Sequence, residues 1–120
     1  MAKTVVMLFS AVLALVGIIG FVNDPVLGIF EVNTAHNLVH LLSGVIGLAM
    51  AARGTASART FALIFGLVYA VVAILGFLTI DPMAEHTMLL NLIEINGADN
   101  YLHLLLAGVF LIVGITSPRV

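Results

Sequence analysis

Residues 31–42 read EVNTAHNLVHLL, and residues 94–105 read EINGADNYLHLL. Seven of these twelve positions are identical at an offset of 63. The apolar stretches before them correspond as well, since GIIGF at 17–21 matches AILGF at 73–77 at an offset of 56. The difference of seven is an insertion in the second connecting segment, around DPMAEHTMLLNL. Apolar low complexity alone would not repeat Glu, Asn, Asn and His in register, so the pattern reads as a duplicated supersecondary unit. Each unit is a helix, a loop and a return helix.

The surroundings of the repeat decide the solvent. The chain has 120 residues, of which 62% are hydrophobic and 8% charged, and its mean hydropathy is +1.27. A soluble domain of this size could not cover so much apolar surface. A helix needs about 20 largely apolar residues to cross the hydrocarbon core. Four segments meet that length: Thr4–Val22, Asn33–Ala52, Thr60–Ile80 and Ala98–Thr116. Helices are required because lipid cannot satisfy backbone polar groups. Lys3 followed by an apolar run resembles a signal peptide, but Val5 to Val22 is long for an h-region and no A-x-A-like site follows, so it is read as the first span. Gly54, Thr55, Ala56 and Ser57 are expected to form the turn between spans two and three, and Asp24-Pro25 and Asp81-Pro82 to stop the odd-numbered spans. The expected fold is an all-α integral membrane four-helix bundle over residues 1–120, with repeat 1 at 4–52 and repeat 2 at 60–116. Two units of the same topology should be related by a pseudo-two-fold axis along the membrane normal.

Charge sets the expected orientation. Lys3, Arg53, Arg59 and Arg119 fall at one end of such a bundle, while Asp24, Glu31, Asp81, Glu85, Glu94 and Asp99 fall at the other. The basic end should be cytoplasmic, with both termini inside. The histidines then lie in the outer half. There is no basic run to suggest nucleic acid. The absence of cysteine excludes disulfides and thiolate metal sites. The expected partners are the lipid bilayer and, beyond it, further copies of the chain or a larger membrane complex.

The pieces DPVLGIFEVNTAHNLVHLLSGVIGLA, FGLVYAVVAILGF and NGADNYLHLLLAGVFLIVG resemble a bacterial family of small four-span membrane proteins classed as a domain of unknown function. Its best markers here are HNLVHLL and DNYLHLL, and the likeness covers nearly the whole chain. It implies a four-span bacterial membrane protein and brings no established activity; the expected location is the inner (cytoplasmic) membrane.

Asn33 and Asn96 are natural N-caps for spans two and four. His36 and Asp99 then occupy the third helical position, with His40 and His103 one turn deeper, about 10 Å along their helices. Spacing of four residues places each pair on one helix face. If spans two and four meet at the pseudo-two-fold, all four side chains converge. Three readings follow. In the first, Asn33, Asn37, Asn96, Asn100, Glu31 and Glu94 join the histidines in a structural polar cluster that holds the repeats together by capping and by interhelical hydrogen bonds, worth about 1 kcal/mol each. In the second, His36, His40, Asp99 and His103 bind zinc or copper. Against it, both helices aim their positive N-terminal ends at the site. His86 and Glu85 could add ligands. In the third, His40 and His103 are paired axial ligands of a haem, with Gly44, Gly47 and Gly108 making room for the macrocycle; a quinone-linked redox role rests on analogy alone.

An enzyme is not the expected reading, because Ser10, Ser43 and Tyr69 lack an obvious nearby base. Small four-span multidrug exporters use a membrane-embedded acid in their first span, and span one here has no ionisable residue after Lys3. Packing between spans is expected to use Gly17, Gly20, Gly44, Gly47, Gly66, Gly76 and Gly108.

Overall fold

Four helices carry the fold of the computed structural model: α1 (Ala2–Val22), α2 (Thr34–Ala52), α3 (Thr55–Thr79) and α4 (Gly97–Thr116). Two short strands, β1 (Thr87–Leu89) and β2 (Ile93–Ile95), precede α4. The structure describes residues 2–22, 34–79, 87–89, 93–95 and 97–117, with side chains from 99 onward in the last segment and none in the two strands. All four helices are long and apolar enough to span a bilayer. At about 1.5 Å per residue each covers roughly 30 Å, the thickness of the hydrocarbon core.

The bundle is apolar outside, and inside it sets small and polar residues beside an apolar core around Phe61, Tyr69 and Phe110. Leu8, Val12, Leu42, Leu67, Ile74 and Ile112 face outward, while Ser10, His36, Asn37, His40, Ser43, Asn100 and His103 are buried. Lipid as solvent explains this, because burying large apolar side chains gains little when the alternative is hydrocarbon. Hydroxyls nearer the helix ends bond within their own helix: Thr60 donates to the Ala56 carbonyl at 3.1 Å and Thr79 to Leu75 at 2.7 Å.

Helices pair most closely as α1–α2 and α3–α4. Glycine permits this where backbones touch. A Cβ at Gly44 would lie 2.5 Å from the Ser10 carbonyl and the Ala14 nitrogen, and one at Gly17 would lie 2.7 Å from the Leu41 nitrogen. In the other pair, a Cβ at Gly66 would stand 2.9 Å from Leu111, and one at Gly114 would stand 2.6 Å from Leu63. Gly108 departs from expectation: a Cβ there meets nothing within 4 Å, and the residue lines an outward-facing groove with Leu104, Leu105 and Ile112. Gly114, which the sequence reading passed over, sits at the contact instead.

Burial follows the repeat. The buried positions of α1 are Ala2, Val6, Ser10, Leu13, Gly17 and Gly20. Their counterparts at an offset of 56 are Ala58, Ala62, Gly66, Tyr69, Ala73 and Gly76, and all are buried in α3. The α2 set His36, Asn37, His40, Ser43, Gly44, Gly47 and Ala51 maps at an offset of 63 onto Asp99, Asn100, His103, Leu106, Ala107, Phe110 and Gly114, again all buried.

Two local expectations need correction. The turn between α2 and α3 is tighter than Gly54–Ser57, since Thr55, Ala56 and Ser57 already belong to α3. Arg53 and Gly54 donate to Met50 and Ala51 at 3.2 and 3.1 Å, tightening the last turn of α2. Gly54 then reverses the chain at φ +130, and its carbonyl accepts from Ala58 at 3.0 Å to start α3. The insertion before α4 is also not plain loop. β1 and β2 pair antiparallel, with Thr87 opposite Ile95 and Met88 opposite Glu94, and this β-hairpin neighbours α2, α3 and α4.

Candidate functional site

α2 begins at Thr34 and α4 at Gly97, each directly after the asparagine expected to cap it. His36 and Asp99 are therefore third in their helices, and His40 and His103 seventh, at equal depth about 10 Å in. Asn33, Asn96, Glu31, Glu85 and His86 lie outside the described residues; Glu94 sits on β2.

The three span histidines converge. His36, His40 and His103 are 1%, 1% and 2% exposed. The His36 and His40 rings stack at 4.6 Å between centroids, and His103 stands 5.5 Å from His36 and 5.8 Å from His40. One nitrogen from each ring can be chosen so that all three lie within 4.8 Å of one another. Asp99 is buried too, in the first turn of α4 one turn outward of His103, but it does not join that set. So three of the four predicted ligands come together.

Tyr69 and Ser43 belong to the same place. Both line a cleft of about 80 Å³ with the three histidines. The Tyr69 ring lies 5.7 Å from His103 and 6.3 Å from His40, so it does not lack a neighbouring base. The sequence signal was available: Tyr69 interrupts the small stripe Ala62, Gly66, Ala73, Gly76 and must share its inward face.

Part of the polar cluster has no hydrogen-bond partner among the described residues. Nδ1 of His40, Nδ1 of His103, both amide atoms of Asn100, Oδ1 of Asn37 and the Tyr69 hydroxyl are buried with no hydrogen-bond partner among the described residues. The Tyr69 hydroxyl lies beside Ser43 without meeting hydrogen-bond geometry. Asn37 does not reach across the bundle; its side chain fills the notch left by Gly20 on α1. Each buried polar atom left without a partner costs about 1–3 kcal/mol, and these atoms have the chemistry to take up a hydrogen bond or, for the imidazoles, a metal ion.

A haem does not fit. The space expected at Gly44 is filled by α1 backbone, that at Gly47 by the Ser10 hydroxyl and the Phe61 ring, and Gly108 faces outward. A cleft of about 80 Å³ is also far below the roughly 300 Å³ at which pockets for organic ligands begin.

Fold and site together define a four-helix membrane protein with a buried tri-imidazole cluster set on two of its spans. The chain belongs to the family described as Domain of unknown function (DUF4383), which it matches over residues 3–116. No curated protein and no solved structure matches it.

Proposed function

We propose that this is a multi-pass protein of a bacterial cytoplasmic membrane that binds one zinc or copper ion through His36, His40 and His103, near the extracytoplasmic face. The observation that supports it most is the set of three buried imidazole nitrogens within 4.8 Å of one another. Metal–nitrogen bonds of about 2.0–2.1 Å put tetrahedral ligand atoms about 3.4 Å apart, so side-chain rotations moving each nitrogen by about 1 Å would close the set. A metal would engage one nitrogen of each ring and so could satisfy the Nδ1 atoms of His40 and His103. The positive ends of α2 and α4 oppose a cation. As carboxylates, Asp99, one turn from His103, and the outer acids would offset them. Whether or not an ion is bound, the cluster also joins repeat 1 (4–52) to repeat 2 (60–116), because its imidazoles come from both halves of one domain.

Protein purified without a histidine tag, equilibrated with zinc or copper and analysed by mass spectrometry, should carry about one ion per chain. His36→Ala, His40→Ala and His103→Ala should each lower affinity by more than about tenfold, while His86→Ala should not. Protein that stays metal-free under these conditions, and whose melting ignores chelators, would falsify the proposal.

A further inference from the structure

The cleft beside the imidazoles has a direction. Val39 and Ser43 of α2 form one wall, and Phe65, Val68, Tyr69 and Val72 of α3 the other. Val39 and Val68 are 38% and 45% exposed on the outer surface of the bundle. Val39 is the sixth residue of α2, about 8 Å in, and Val68 lies in the middle of α3. The mouth of the cleft is therefore at hydrocarbon depth, between α2 and α3. The hydroxyl of Tyr69, which lines the cleft, is buried without a hydrogen-bond partner among the described residues, on a residue 2% exposed.

We propose that the ion held by the three imidazoles keeps a fourth coordination position open to this cleft. The site takes a small uncharged ligand, of the size of a diatomic gas, which enters from the lipid between α2 and α3 and is oriented by the Tyr69 hydroxyl. This rests on the metal reading above. Three protein ligands are the mark of sites that leave a position for an exogenous ligand, whereas structural sites close with four. Among the described residues the set consists of the three imidazoles, and Asp99 is not part of it. Entry through hydrocarbon rejects ions, which are costly there, and the cleft is too small for a drug-sized molecule. A largely apolar wall that carries the Tyr69 and Ser43 hydroxyls suits a small ligand with a weak hydrogen-bond acceptor.

Carbon monoxide on the copper(I) form is the probe. Copper binds nitrogen sites at least as tightly as the other first-row ions, so the loaded protein reports the geometry whichever metal serves in the cell. Copper-loaded protein in lipid nanodiscs, reduced with ascorbate and exposed to carbon monoxide, should show one metal-carbonyl infrared band. Tyr69→Phe should shift that band while copper content stays the same. Val39→Trp and Val68→Trp, at the mouth and outside the ligand set, should each slow association roughly tenfold without loss of copper. A chain that never holds copper sinks the metal reading itself. Copper retained without a carbonyl band shows a closed fourth position. A band whose rate of appearance is unchanged in both tryptophan variants shows that the route is elsewhere. Either of these last two results overturns the present inference and leaves the metal reading intact.

Discussion

Single residues here are judged by what lies behind them. Gly44 and Gly108 are both glycines inside a span, yet a Cβ at Gly44 would strike α1 backbone at 2.5 Å while one at Gly108 meets nothing within 4 Å. Gly44→Ala should cost about 1–3 kcal/mol through overpacking. Gly108→Ala should be neutral or stabilise by up to about 1 kcal/mol, because alanine is the better helix former. Melting in detergent should separate the two variants; equal shifts would contradict the tight α1–α2 contact. The histidines divide in the same way. His40→Ala and His103→Ala should each destabilise by about 2–4 kcal/mol, because each empties the space of a buried ring packed against its neighbours. His86→Ala serves as the comparison, and an equal loss there would count against an interior site.

At the scale of elements, the two helical hairpins match in burial pattern but differ in content. Ser10 and Gly47 of the first correspond to Gly66 and Phe110 of the second, so large and small exchange sides of the contact. Leu13 corresponds to Tyr69, which is why one hairpin alone supplies the phenol. His36 corresponds to Asp99, so the first hairpin contributes two imidazoles and the second one imidazole with a carboxylate one turn outward. The link between them is sharp. Gly54 holds φ +130 with no room problem around its Cβ position, so strain and not a clash makes it glycine. Gly54→Val should therefore cost about 1–3 kcal/mol from backbone strain alone, read as a lower melting temperature in detergent.

For the whole molecule, orientation is the property with the most consequences, because it decides from which side of the membrane the cluster is reached. Lys3, Arg53 and Arg59 share the end at which α1 and α3 begin. The basic end should face the cytoplasm. The chain has no cysteine, so single cysteines report cleanly. In intact cells, Thr34→Cys, exposed at the outer end of α2, should react with a membrane-impermeant maleimide. Ala56→Cys, exposed at the start of α3, should react only after the membrane is opened. The reverse labelling pattern would invert the topology.

Hydropathy and the offsets of 63 and 56 were enough to read the spans, their pairing into two units and the equal depth of His40 and His103, because helix periodicity and bilayer thickness act locally along the chain. Distances between units are not local. That Asp99 stays out of the three-nitrogen set, that Tyr69 and Ser43 enter the cleft, that Asn37 turns toward Gly20 and that Gly108 faces outward all depend on how the two hairpins rotate against each other. That rotation is set by side-chain packing across the bundle, and no spacing within either repeat encodes it.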